Sequence, residues 1–183
     1  MTIPNILTLS RIFLTPFLVW FLHHDMLNYA LIVFLIAGLT DGLDGLIARM
    51  FHQKSQLGAY MDPLADKLLL VTSFVFLGYQ GLIPDWLVIV AVSRDAMIVL
   101  GLATLKFHNV PVRIKPVFSS KLTTLMQLIT VLLALSSTLV PLPSWLYMIV
   151  FIVTAGFAVY SGARYVMIGT SLLGMRQANN EGK

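Results

Sequence analysis

Apolar residues fall in six runs along the chain, separated by short polar connections. The first run covers about Ile6 to Leu22, carries Arg11 near its start, and ends at His23-His24-Asp25. Ahead of it, Pro4-Asn5 suits a turn or the start of a helix lying at a membrane interface. The second run starts near Leu27 and stays helical to about Phe51; His52 to Gln56 is a polar connection. The third begins at Leu57, reaches about Leu77, and holds Asp62, Asp66 and Lys67 in its first half. Gly78 to Asp85, with Gly81 and Pro84, reads as a turn. The fourth spans Trp86 to about Leu105 and is interrupted by Ser93-Arg94-Asp95; His108 to Pro116 is the longest polar stretch. The fifth spans about Val117 to Val140 and is broken by Pro141 and Pro143. The sixth runs from Trp145 to about Leu173 with Arg164 inside, and Gln177 to Lys183 is a polar tail. Runs of about 20 apolar residues are what a helix needs to cross a bilayer. The pattern predicts an all-α integral membrane protein with six transmembrane helices.

Composition agrees. Of 183 residues, 58% are hydrophobic and 11% charged, against roughly 25% charged in a soluble domain. Mean hydropathy is +0.87. The length accommodates six spans with short loops but no second domain of any size, so residues 1–183 read as one membrane domain. The absence of cysteine excludes disulfides, thiol chemistry and zinc-thiolate sites. The first apolar run has no basic region before it and no small-residue cleavage site, so it reads as a retained helix. There is no internal repeat of useful strength.

Net charge is a modest +4, and its placement says more than its sum. Lysines and arginines flank the second-to-third connection (Arg49, Lys54), the fourth-to-fifth (Lys106, Arg113, Lys115, Lys121) and the C-terminus (Arg176, Lys183). The other three connections have none. That alternation predicts both termini on the cytoplasmic side, together with the ends of the second and third helices.

Those ends hold the candidate chemistry. Asp41 and Asp44 are three residues apart, and Asp62 and Asp66 are four apart. On helices each spacing puts both carboxylates on one face. Two such faces turned together gather four anions, which protons or a cation must neutralise. An aspartate at mid-membrane depth costs roughly 2.5–3.5 kcal/mol, so four unpaired ones would cost on the order of 10 kcal/mol. The alternative of two acidic loop patches on a soluble protein sits poorly with such apolar flanks. An all-oxygen donor set suits a hard divalent ion, Mg2+ first, with Mn2+ or Ca2+ possible. Gly42, Gly45, Ala48 and Gly58 remove bulk near the acidic face, either for close helix packing or for approach of a ligand to the backbone. Arg49 suits a diphosphate oxygen pair or simple anchoring at the membrane face. Carboxylates, metal and arginine together are equipment for phosphoryl-type transfer, and two metals about 3.5–4 Å apart would use four carboxylates.

The run Asp41-Gly42-Leu43-Asp44-Gly45-Leu46-Ile47-Ala48-Arg49, followed by Gly58, Asp62 and Asp66, resembles the CDP-alcohol phosphotransferase family. The family pattern is D-x2-D-G-x2-A-R-x8-G-x3-D-x3-D, and no position departs from it. The resemblance extends over essentially the whole chain, since the family is a six-helix membrane fold. It implies transfer of a phosphatidyl or phosphoalcohol group from a CDP-linked donor to an acceptor hydroxyl, with release of CMP. It implies that Asp41, Asp44, Asp62 and Asp66 hold two divalent cations, Mg2+ or Mn2+, and that Asp66 is the general base. It implies that Gly45, Ala48 and Gly58 admit the cytidine nucleotide and that Arg49 binds the diphosphate. The start Ile3 to Arg11 is similar to glycerophospholipid-making members, which places Asn5 and Thr8 near the nucleotide of CDP-diacylglycerol.

The acceptor site is sought among basic residues outside that motif: Arg11, Lys67, Arg94, Lys121 and Arg164. Each could instead anchor a helix or pair with a carboxylate. Members using glycerol 3-phosphate usually show Arg-Glu in the fourth helix and a further arginine a turn or two later. This chain has Ser93-Arg94-Asp95 and no arginine from Ala96 to Leu105. Its Lys115-Pro116, Ser120-Lys121, Thr124 and Gln127 resemble CMP-forming cardiolipin-making members. Phosphatidylglycerol is therefore the preferred acceptor and glycerol 3-phosphate the alternative. A cation-coupled transporter is the class-level alternative, opposed by the lack of acidic residues in the fifth and sixth helices. A lipid bilayer, no nucleic acid and a second copy of the chain are the expected partners. The lack of a long N-terminal transit segment favours a bacterial inner membrane, with the site facing the cytoplasm.

Overall fold

The computed structural model describes the backbone of residues 3–51, 56–107 and 118–181, and the side chains of 9–40, 65–101 and 119–170. Among these residues there are six α-helices, one 3-10 turn and no strand. The helices are α1 (Ile3–His23), α2 (Leu27–Phe51), α3 (Gln56–Tyr79), α4 (Asp85–Phe107), α5 (Phe118–Leu135) and α6 (Ser144–Glu181). Each apolar run of the sequence lies on one of them. Two ends differ. The 3-10 turn Ser136–Thr138 closes α5 earlier than the apolar run suggests, ahead of Pro141. In α6 the helix continues through the polar tail to Glu181, because nothing between Met175 and Glu181 is a glycine or proline. The polar connections His52–Ser55 and His108–Pro116 lie outside the described residues.

The chain divides into two compact units, Met1–Pro84 with Val131–Pro143, and Asp85–Thr130 with Ser144–Lys183. In the first, α1 packs against α2 and α3. The buried positions follow helical spacing: Arg11, Thr15, Leu18 and Leu22 on α1; Ala30, Phe34 and Ala37 on α2; Ala65, Leu69, Ser73, Phe74 and Leu77 on α3. Two matching helix ends hold this unit. After α1, Asp25 turns into the left-handed region at φ 57°, Met26 N–H donates to Phe21 C=O at 2.9 Å, and Asp25 N–H to Leu22 C=O at 3.1 Å. After α3, Gly81 does the same at φ 72°, with Leu82 N–H on Leu77 C=O at 2.9 Å and Gly81 N–H on Gly78 C=O at 2.8 Å. Both are Schellman closures. Gln80 links them, its amide donating to the Leu22 carbonyl and to Asp25 Oδ1.

In the second unit α4 packs on α6, and its interior is polar. Arg94, Asp95, Ser119, Thr123, Gln127, Thr130, Thr154 and Ser161 are all buried. Thr123 donates to the Ser119 and Phe157 carbonyls, at 2.9 and 3.0 Å, and the Thr130 and Thr154 hydroxyls meet at 2.9 Å. Large apolar side chains point outward instead, among them Ile89, Leu100, Ile152, Val159 and Met167. Polar contacts between helices with an oily exterior suit packing in lipid. Among the described residues, Ser119–Thr138 and Ser144–Thr170 are long and apolar enough to cross a membrane. Leu9–His23 and Leu27–Thr40 are shorter apolar stretches.

Candidate active site

Asp41 and Asp44 lie on α2, and Asp62 and Asp66 lie on α3, in unbroken helix. The backbone therefore meets the condition that the spacing argument needs: each pair shares one helical face. Gly45, Ala48 and Arg49 also lie on α2, Gly58 on α3, and Asn5 and Thr8 in the first turns of α1. For all of these except Asp66, the side chains lie outside the described residues. Among the described residues no three His, Asp or Glu side chains converge. The four aspartates supply only carboxylate oxygens, the donor chemistry that Mg2+ and Mn2+ take, so in kind the set fits a hard divalent ion.

Asp66 is the one of the four whose surroundings are visible. Its carboxylate is 45% exposed and forms an ion pair through Oδ1 with Nη1 of Arg11, which is 1% exposed. Sequence reasoning left Arg11 open between an acceptor contact, an anchor and a carboxylate partner; its guanidinium lies against Asp66. A cation inside an apolar helix needs such compensation. The pair ties α1 to α3 one turn below the Thr15 hydroxyl, which donates back to the Arg11 carbonyl at 3.0 Å.

Of the other basic candidates, Arg94, Lys121 and Arg164 lie in the second unit and Lys67 lies on α3 in the first. Arg94 is 4% exposed. Its Nη1 donates to Asp95 Oδ1 at 2.6 Å, and its Nη2 donates to Ser120 Oγ and Ser161 Oγ, both at 2.7 Å. One guanidinium thus joins α4, α5 and α6. Lys121 and Arg164 are exposed, and neither makes an ion pair among the described residues. Lys67 is half-buried. Two clefts flank these groups. One, of about 540 Å³, runs between α4 and α6, is almost wholly apolar, and has Arg94 and Gly162 in its wall. The other, of about 380 Å³, lies along α5 and is lined by Ser120, Lys121, Thr124, Leu125 and Leu128.

Ser161 was not singled out from the sequence, and neither was the joint role of Ser120. The available signal was the recurrence of Ser119, Thr123, Gln127 and Thr130 at helical spacing in an apolar helix, which marks an interhelical polar seam. The Arg11–Asp66 pairing had a comparable signal, a lone arginine in an apolar run.

Comparison with known proteins adds independent information. The model of the CDP-alcohol phosphatidyltransferase family matches residues 1–160, crossing both compact units. The cardiolipin synthases (CMP-forming) of Rattus norvegicus and Homo sapiens are each 40% identical to the chain over 152 residues, 74% of this chain and 50% of theirs. The protein of the same name from Streptomyces coelicolor is 34% identical over 117 residues, 61% of this chain and 54% of its own. The chain spans about half the length of the curated relatives it matches. None of these three is a transporter by name.

Proposed function

The chain belongs to the CDP-alcohol phosphatidyltransferase family, and from that premise we propose that it makes cardiolipin from CDP-diacylglycerol and phosphatidylglycerol. The acceptor hydroxyl oxygen attacks the phosphatidyl phosphorus. The bond from that phosphorus to the CMP oxygen breaks, and CMP leaves. The hydroxyl proton passes to the Asp66 carboxylate. The observation that carries the reading is the complete eight-position motif from Asp41 to Asp66, in a chain 40% identical to CMP-forming cardiolipin synthases.

The residue roles are those that the family motif implies. Asp41, Asp44, Asp62 and Asp66 hold two divalent cations, Mg2+ or Mn2+. Bound there, they would supply positive charge against the negative charge that develops on the diphosphate. Arg49 grips diphosphate oxygens through its planar fork. Gly45, Ala48 and Gly58 leave the backbone approachable by cytidine, with Asn5 and Thr8 beside it. Arg11 orients the Asp66 carboxylate through their ion pair. Lys121 and Arg164, exposed and without ion-pair partners among the described residues, receive the acceptor phosphate, with Arg94 behind them. Residues 1–183 act as one membrane domain with six spans, both termini and the site at the cytoplasmic face, in a bacterial inner membrane, as a homodimer. The family match across both compact units supports the single domain.

The test is CMP release by the purified full chain given CDP-diacylglycerol, Mg2+ and one acceptor at a time. Release with phosphatidylglycerol and not with glycerol 3-phosphate is expected. Release with glycerol 3-phosphate alone reassigns the acceptor, and no release with either removes the activity.

A further inference from the structure

Resting on the acceptor site just proposed, we infer that Arg94 is a positioning residue rather than a substrate contact. It joins Ser120 and Ser161 and so sets the two exposed cations next to them. Both terminal nitrogens of Arg94 are committed within the protein. Nη1 holds Asp95, and Nη2 holds Ser120 and Ser161 at 2.7 Å each. With 4% of the residue exposed, its charge is already compensated by Asp95. Nε makes no hydrogen bond among the described residues but is fully buried, so a phosphate bound at the terminal nitrogens would compete with these three short hydrogen bonds. The neighbours of the two serines are placed differently. Lys121 follows Ser120 directly, and Arg164 is three residues beyond Ser161, on the same face of α6 within about one turn. Fixing both hydroxyls to one rigid guanidinium fixes the rotation and height of α5 and α6 where those cations project. Arg suits the task because its planar fork carries donors in set directions, which a lysine ammonium lacks. Arg94 and α6 are in direct contact here: a Cβ on Gly162 would lie at ordinary van der Waals distance, 3.6 Å, from Cγ of Arg94.

The experiment removes the hydroxyls and leaves the charge. In Ser120→Ala/Ser161→Ala, Arg94 keeps Asp95 but loses both bonds that reach α5 and α6. KM for phosphatidylglycerol is expected to rise about tenfold, the scale of one lost bond to a charged group. KM for CDP-diacylglycerol should stay within about twofold, and Ser120→Thr, which keeps a hydroxyl, should behave as wild type. A substrate-contact role for Arg94 predicts the opposite, because freeing Nη2 would leave acceptor KM unchanged or lower. An equal rise in both KM values would show general loosening and also overturn the inference. A second measurement does not depend on turnover. The chain has no cysteine, so spin labels at Lys121→Cys and Arg164→Cys report the distance between these two positions. In the double serine variant the distance distribution should broaden or shift. An unchanged distribution overturns the positioning role. If the wild-type chain releases no CMP, the proposed activity fails by itself, and the distance measurement alone decides this inference.

Discussion

Asp66→Asn separates catalysis from folding. The substitution keeps the size and one carbonyl oxygen of the side chain while removing its charge and basicity. A positioned general base contributes about 10²–10⁴ in rate, equivalent to roughly 2.7–5.4 kcal/mol at 1.36 kcal/mol per decade. The effect on stability is smaller for a structural reason. Arg11 is buried, but the Asp66 carboxylate is 45% exposed, so water screens the pair. The figure of 3–5 kcal/mol for breaking a fully buried pair must be discounted toward the surface value of about 1 kcal/mol. The asparagine oxygen can still accept from Arg11. A loss of about 1 kcal/mol lowers the melting temperature by roughly 2–4 °C in a chain of this size. CMP release and thermal unfolding, measured on one detergent preparation, should therefore diverge: turnover lost by at least a hundredfold, melting almost unmoved. Near-normal turnover would remove Asp66 as the base. A collapse of both together would make its role structural.

Asp62→Ala should shift the metal titration to higher concentration as well as slow turnover; an unchanged titration argues against ligation. A chelator should abolish CMP release and either Mg2+ or Mn2+ restore it, because the diphosphate needs bridging; activity that survives chelation contradicts the metal assignment. Arg94→Met should destabilise by about 3–5 kcal/mol, as breaking a buried pair does, read as a lower melting temperature. Arg94→Met/Asp95→Leu should recover part of it, since the carboxylate that paired with Arg94 is removed too; no recovery would mean the pair is not the source. Thr130→Val/Thr154→Val, which removes a 2.9 Å hydroxyl contact, should cost only about 0.6–1.7 kcal/mol.

Helix existence was legible because each element carries a long apolar run, and both aspartate pairs fall within helices, as their i, i+3 and i, i+4 spacing supposes. Partner choice was not. Arg11, Arg94, Lys121 and Arg164 look alike as basic residues at or within apolar runs, yet Arg11 meets Asp66, Arg94 meets two serines and its own neighbour, and the other two stay exposed. Contacts 55 and 67 residues apart in sequence are set by how helices face one another, which periodicity within one helix does not encode. The helix ends followed the same division. Gly81 announces its left-handed turn by residue type, whereas Asp25 performs the same closure without announcing it.

The most direct measurement is an anomalous-scattering map from crystals of the full chain grown with CDP-diacylglycerol and Mn2+. Two manganese peaks within about 4 Å of each other, ringed by Asp41, Asp44, Asp62 and Asp66 and touching the diphosphate, are the predicted result. Nucleotide bound without manganese beside it, or the four carboxylates turned to separate surfaces, would contradict the account.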